Sequence, residues 1–435
     1  MAATTTVRPV HAVTRAEWFA LYLLVLSVCI NYLDRGNLSV AAVRIHDELH
    51  LSSTQEGWLL AAFFCTYAFC QLLSGWLIER FNVVWVFAAG YFVWSTATFL
   101  TGYAGGWRFS LFGVSGIVPA FAMLFLLRLM LGIGESVAYP SYSKIIAAGF
   151  PERKRGLANG LIDAGCKLGP AAGILLCGYL MQSYGWRMMF VLIGAISMVW
   201  LIPWLAIGGS VKTGRAAKLS EGHLDVPSFR EIARVREAWG TFLGLFCGNY
   251  AWYFMLTWLP HYFIKVRNYD ESKMTRFVPL PFLATALGAV FAGWAADRWI
   301  HHGGSTTLVR KTFTVGGLSL WALIFLPAGF VKDPQTALWL MVVAGFCFGF
   351  FSGNLWAVTQ TLAGTAAAGK WTGIQNMCGN FAGIVVPVVT GAILDKTGQF
   401  YWAVASVCGV CLIGALSYLL IIRRIEPVSW RRETD

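Results

Sequence analysis

The chain has 435 residues, 57% of them hydrophobic and only 12% charged, with a mean hydropathy of +0.62; an ordinary soluble domain is about 25% charged. That excludes a water-soluble globule, and the long unbroken apolar runs exclude an outer-membrane barrel, which shows short alternating segments. The net charge of +12 therefore reports orientation in a bilayer and not a nucleic-acid partner.

A membrane-spanning helix needs about 20 mostly apolar residues. In chain order the pattern predicts such spans at 17–43, 57–80, 84–104, 117–140, 157–182 and 187–208. After a charged stretch it resumes at 239–264, 276–299, 312–331, 336–361, 371–394 and 400–422. The expected organisation is a cytoplasmic tail (1–16), a six-helix bundle (17–208), a cytoplasmic linker (209–238), a second six-helix bundle (239–422) and a cytoplasmic tail (423–435). The fold class is an all-α membrane protein with twelve transmembrane helices in two pseudo-symmetric bundles. The N-terminal run lacks the small-residue cleavage site of a signal peptide, so the first helix is expected to stay.

With both termini in the cytoplasm, 21 of the 33 Lys and Arg residues fall inside and nine outside, while Arg35, Arg128 and Lys167 lie within spans. This matches the positive-inside rule for a multi-pass protein of the inner (plasma) membrane. The densest cytoplasmic clusters are Arg153, Lys154 and Arg155; Arg230, Arg234 and Arg236; and Arg423, Arg424, Arg431 and Arg432, which suit contact with lipid headgroups. The ten cysteines all sit in apolar runs and read as small hydrophobes. Cys408 and Cys411 form a C-x-x-C without a partner pair, so no metal, cofactor or disulfide is expected.

The halves repeat. Gly75-Trp-Leu-Ile-Glu-Arg80 echoes Gly293-Trp-Ala-Ala-Asp-Arg298, Gly165 to Gly169 echoes Gly379 to Gly383, and Gly178 to Gly185 echoes Gly391 to Gly398, at nearly equal offsets. Parallel repeats of this kind serve transporters that alternate access around a site at the repeat interface. The Gly-x-x-x-Gly spacings read as close helix packing.

An ionisable group at bilayer depth costs about 2.5–3.5 kcal/mol, and six are expected there: Asp34, Arg35, Arg128, Glu135, Asp163 and Lys167. All belong to the first half, on predicted helices 1, 4 and 5. Arg128 and Glu135 are seven residues apart on one face, too far to neutralise each other, so each is expected to face helix 1 or water. Arg35 offers a planar fork to a carboxylate and Asp34 an exchangeable proton; an ion network locking helices 1 and 4 is the plainer reading. Asp163 and Lys167, at i and i+4, form either a self-neutralising pair facing helix 1 or the bundle interior, or a pair whose lysine meets an anionic substrate. Tyr32, Tyr67, Tyr250, Tyr253 and Trp356 are candidates to line a cavity. No nucleophile or metal constellation can be assembled, so the protein is not expected to be an enzyme.

Asp34-Arg35-Gly-Asn37 in helix 1, Arg128 and Glu135 before Tyr139-Pro140 in helix 4, Asn249-Tyr250 through Thr257-Trp258-Leu-Pro260 in helix 7, and Asn376 to Gly383 in helix 11 resemble the anion:cation symporter family of the major facilitator superfamily. Its members include bacterial galactonate, glucarate and hexuronate transporters and animal sialin. The resemblance implies that Arg35 contacts the substrate carboxylate, that Tyr32 and Tyr67 flank it, and that Trp356 and Asn380 close over it from the second bundle. It also implies that Asp34 and Glu135 carry protons and that Arg128 couples protonation to substrate. The sequence departs from that pattern at Glu79 and Asn82 after helix 2, at Cys166 and Lys167 where relatives carry Gln, and at the end of helix 10. Lys167 is thereby added to the expected substrate contacts. The function expected is a proton-coupled importer of a sugar acid or similar small carboxylate, with protons, a small organic anion and lipid as its partners and a monomer as its working unit. The rival is an organophosphate:phosphate antiporter; a membrane-embedded enzyme or a channel stands further off.

Overall fold

A computed structural model describes residues 13–105, 107–111, 114–150, 152–211 and 227–430. Most of the N-terminal tail, the linker segment 212–226, and Arg431 and Arg432 lie outside the described residues, as do the side chains of Glu79, Arg153, Lys154 and Arg155.

Helix α1 (Arg15–Leu49) opens on a capping box in which Thr14 accepts from the Glu17 amide and Glu17 reaches back, satisfying two orphan donors. Helix α2 (Ser53–Arg80) repeats the device with Ser52 and Gln55, and α3 (Val83–Thr101) is capped by Asn82. The fourth crossing is broken into α4 (Ala120–Glu135) and α5 (Ala138–Gly149), because Pro140 cannot donate to the Ser136 carbonyl and its ring crowds it. One continuous run, α6 (Glu152–Val199), holds two crossings separated by Gly185 at φ +80°, a backbone conformation open to glycine. Helix α7 (Leu201–Ile207) completes the first half.

The second half comprises α8 (Phe229–Arg234), α9 (Arg236–His261), α10 (Glu271–Phe277), α11 (Pro279–His301), α12 (Thr306–Phe330), α13 (Pro334–Ser352), α14 (Leu355–Asn380), α15 (Ala382–Thr397) and α16 (Phe400–Leu416). Asp333 caps α13, and its bonds from the Thr336 amide and hydroxyl hold its carboxyl below the usual range. Gly364, at φ +62°, divides α14 between the tenth and eleventh crossings. With these breaks the described helices make twelve crossings.

Two expectations need correction. The stretch after α3 forms an antiparallel hairpin, β1 (Trp107–Leu111) and β2 (Val114–Val118), with Trp107 opposite Val118. Its aromatic and β-branched residues suit strands, and the fourth helix therefore starts at Ala120, after β2, and not at 117. Helices 1, 2 and 4 also extend beyond the apolar runs, because polar residues such as Arg44, Glu56 and Lys144 continue their helices.

The repeat is visible in side-chain geometry. At the end of α2 the Arg80 guanidinium lies 5.5 Å from the Trp76 ring, and at the end of α11 Arg298 lies 5.9 Å from Trp294. A Cβ on Gly165 or Gly169 would stand 2.5 Å from Val28 or 2.6 Å from Tyr32 of α1, while one on Gly379 would stand 2.7 Å from Leu245 of α9. The fifth crossing, in α6, thus presses on α1 as the eleventh, in α14, presses on α9.

Polar contacts between the halves gather at the end of the bundles away from the chain termini. Arg44 forks onto Glu271 with both bonds at 2.5 Å, Lys265 reaches Asp47 at 2.7 Å, and Gln182 reaches Thr275 at 3.1 Å. Asp395 accepts from the Ser53 and Thr54 amides at 2.9 and 2.8 Å, capping α2 from the opposite half. Backbones touch there too: a Cβ on Gly57 would fall 2.3 Å from the Pro387 carbonyl and one on Gly391 2.2 Å from that of Ser53. Among the described residues no hydrogen bond or ion pair joins the halves toward the termini. Lys167 precedes Gly178, which is pressed on Thr275, by about three turns on nearly the same face, yet its partner Asp163 is 58% exposed.

Candidate functional site

Small residues set α4 between its neighbours. A Cβ on Gly132 would meet the Phe63 carbonyl at 2.2 Å, and one on Gly134 the Trp94 amide at 2.7 Å, so Gly-Ile-Gly-Glu135 admits α4 deep between α2 and α3. Thr66 fastens the same contact by donating to the Leu129 carbonyl at 2.7 Å. This brings Arg128 and Glu135 against the middle of α1.

The two acid–base pairs resolve as follows. Arg35 donates from Nε to Glu135 Oε2 at 2.9 Å, with side chains 2% and 0% exposed. Arg128 donates to the Asp34 backbone carbonyl at 3.1 Å and to Asn37 Oδ1 at 2.7 Å, and Asn37 in turn donates to Asp34 Oδ1 at 3.1 Å. Arg128 and Glu135 each turn to α1 and not to each other. Two carboxyl groups and two guanidiniums thus share one buried cluster whose formal charges cancel when both acids are ionised, which limits a desolvation cost of several kcal/mol per ion. Asp34 Oδ2, Arg35 Nη2, Arg128 Nε and Glu135 Oε1 are buried without a hydrogen bond of good geometry, a concentration of unspent capacity unusual in a buried cluster.

Aromatic rings shape the space around Arg35. Its guanidinium carbon stands 4.7 Å from the Tyr32 ring, 5.0 Å from Phe63 and 4.4 Å from Tyr67, within the range of cation–π attraction. Nε is spent on Glu135, and Nη2 is buried without a hydrogen-bond partner. Tyr139 donates to the Tyr32 hydroxyl at 3.3 Å and touches the Cys166 thiol at 2.6 Å. From the second half, the Tyr253 ring lies 4.5 Å from Phe64, whose own ring is 4.8 Å from Phe63, and the Tyr253 hydroxyl donates to Asn380 Oδ1 at 2.7 Å.

Of the residues singled out in the sequence, Arg35, Tyr32, Tyr67, Asp34, Glu135 and Arg128 gather in one cluster, and Asn380 joins it through Tyr253. Trp356 is half-buried near the start of α14 and shares no hydrogen bond or ring contact with them. Lys167 pairs with Asp163 and not with the cluster. The pair forms as the self-neutralising reading has it, with the Lys167 side chain 14% and the Asp163 side chain 58% exposed. Asn37, Phe63 and Tyr253 carry more of the geometry than the sequence suggested; Asn37 stands three residues after Asp34 and Phe63 four before Tyr67, so helical spacing held the signal.

A profile described as Major Facilitator Superfamily matches residues 24–387 and, in a second alignment, 280–434. The chain is 29% identical to the D-galactonate transporter of Escherichia coli O6:H1 (strain CFT073), over 97% of this chain and 99% of that one. It is 28% identical to the probable galactarate/D-glucarate transporter of Bacillus subtilis (strain 168), over 98% and 96%. In fold it is similar to the crystal structure of a bacterial homolog of the human lysosomal transporter Spinster in an inward-facing, unoccupied conformation, with a TM-score of 0.77, 18% identity, and coverage of 95% of this chain and 98% of that one. The paired helical repeats, the charged cluster at mid-depth and the profile match agree: this chain is a multi-pass membrane transporter, not an enzyme, and it belongs to the Major Facilitator Superfamily.

Proposed function

We propose that the protein imports a small sugar acid, an aldonate, aldarate or hexuronate, together with protons, by alternating access. The observation that carries this reading is the buried Arg35–Glu135 pair at 2.9 Å, in which one guanidinium faces an internal carboxylate through Nε and keeps Nη2 without a hydrogen-bond partner. A substrate carboxylate and the Glu135 carboxylate compete for Arg35, and protonation of Glu135 resolves the competition in the substrate's favour. Proton and anion therefore load together. Arg128, held on Asn37 and the Asp34 carbonyl, relays the state of Asp34 to the same helix face. Tyr32 and Tyr67 grip the sugar-like body, Asn380 and Trp356 approach it from the second bundle, and Lys167 meets a second negative group at the open side. The names of the two relatives support the substrate class.

The moving bodies in this reading are 17–208 and 239–422, joined by the linker 209–238, within a monomer. Both termini are cytoplasmic in the inner membrane, so the closed far end faces outward. The test is uptake into proteoliposomes: galactonate, galactarate, glucarate and a hexuronate are each offered with an inward proton gradient. Gradient-dependent accumulation of at least one acid is expected, and equal uptake with the gradient collapsed refutes coupling. Failure of all four acids, with accumulation of a sugar phosphate, refutes the substrate class.

A further inference from the structure

The far end of the interface holds a cluster that the transport site does not use. Glu56, in the first turn of α2, is 2% exposed; its Oε2 lies 2.9 Å from His46 Nδ1 on α1, and its Oε1 lies 2.9 Å from His261 Nδ1 at the end of α9. An ionised carboxylate only accepts, so each Nδ1 carries the proton it donates. His46 and Glu56 belong to the same half. His261 belongs to the other, and the two imidazole rings meet edge to face at 6.1 Å. The next residue, Gly57, is pressed on the Pro387 carbonyl, so the cluster sits where the halves are tightest.

Its neighbours are already compensated. Asp47 faces Lys265, Glu271 faces Arg44, Glu48 faces Arg187, and Asp395 caps the N-terminus of α2. Among the described residues Glu56 alone faces only histidines, whose charge changes between about pH 5 and 8. A buried carboxylate without a fixed cation is costly unless an imidazolium meets it. Parting the halves at this end separates Glu56 from His261 and leaves Glu56 with His46.

We infer that His46, Glu56 and His261 form a proton-sensitive latch on the far side of the transporter, separate from the central cluster, which acid closes and alkali loosens. Protonating His261 turns its contact with Glu56 into an ion pair that exists only while the far end is closed, so mass action favours closure as pH falls. The identity of the transported acid does not enter the inference.

The test is hydrogen exchange by mass spectrometry on the full-length protein in nanodiscs at pH 6.0 and 8.0, corrected for intrinsic exchange, following peptides 53–62 and 388–397. A charge-assisted bond predicts protection of these peptides about tenfold greater at pH 6.0. His261→Gln, which keeps a hydrogen-bonding amide without a titratable charge, is expected to erase the difference, and so is Glu56→Gln, the second reading should either variant fold poorly. His46→Gln is expected to keep it, because its partner lies in the same half. Glu135→Gln is expected to keep it as well. Equal protection of the wild type at both pH values overturns the latch, as does a pH difference that survives in His261→Gln. Its loss in Glu135→Gln assigns the response to the central site and overturns it equally.

Discussion

Glu135→Gln is the sharpest probe of the central cluster, because the substituted amide has the shape of the protonated acid. The Arg35–Glu135 bond is 2.9 Å long between side chains 2% and 0% exposed. Removing one partner of such a pair costs about 3–5 kcal/mol, since a buried guanidinium is left uncompensated. The Gln carbonyl can still accept from Arg35 Nε, which places the loss near the low end, about 3 kcal/mol. A substrate carboxylate restores the missing charge, so that amount reappears in binding as up to about 100-fold greater affinity. In the wild type the anion must displace an ionised Glu135 or wait for its protonation; affinity therefore falls as pH rises. In Glu135→Gln no proton is taken up at this site, and affinity lies nearer the tight limit with a shallower dependence on pH. Calorimetric titration with the substrate at pH 6 and pH 8, alongside thermal unfolding with and without it, reads both effects. Weaker binding in the variant, or a pH slope equal to that of the wild type, refutes the competition between Glu135 and substrate.

Arg35→Lys keeps the charge and loses the fork, so equilibrium binding of the substrate is expected to weaken by tenfold or more while the fold persists. Asp34→Asn is expected to abolish proton-driven accumulation in proteoliposomes while leaving substrate exchange at equal pH measurable. Gly169→Ala would set a methyl 2.6 Å from Tyr32 Cβ, pushing α1 and the ring over Arg35; transport is expected to fall severalfold in a protein that still reaches the membrane, as read by uptake normalised to surface expression. Lys167→Gln leaves a largely exposed Asp163, so thermal stability is expected to change by less than about 1 kcal/mol, while preference for a dianionic aldarate over a monoanionic aldonate declines in competition binding.

Much of this architecture is legible in the sequence because apolar runs and mid-membrane charges are strong local signals. Asp34, Arg35, Arg128 and Glu135 stand out because charge at that depth has no cheap explanation, and the repeat stands out because glycine stripes recur at nearly equal intervals. What stays hidden is pairing across distance. That Arg35 would choose Glu135, and Arg128 Asn37, follows from how Gly132 and Gly134 seat α4, which no periodicity expresses. The latch was missed for a related reason. An apolar run beginning at 57 leaves Glu56 in a loop, whereas the Ser52 capping box starts the helix at Ser53. His261 then meets Glu56 from 205 positions away.

The unequal charge of the halves bears on how they can move. Every ion placed at mid-depth lies in the first half, and the second half reaches that cluster through the neutral Tyr253 and Asn380. Rocking the second half therefore pulls no opposite charges apart in the low-dielectric centre, where separation costs most. Among the described residues the lysine and arginine ion pairs that span the halves are at the far end and partly wet: Arg44 and Glu271 are 38% and 25% exposed, Lys265 and Asp47 38% and 56%. Water can replace each for about 0–1 kcal/mol. Glu56 and His261, at 2% and 9%, are the exception, and their bond is the costly one to break when His261 is charged. An architecture that spares the centre from charge separation concentrates electrostatic control of opening on that one buried contact.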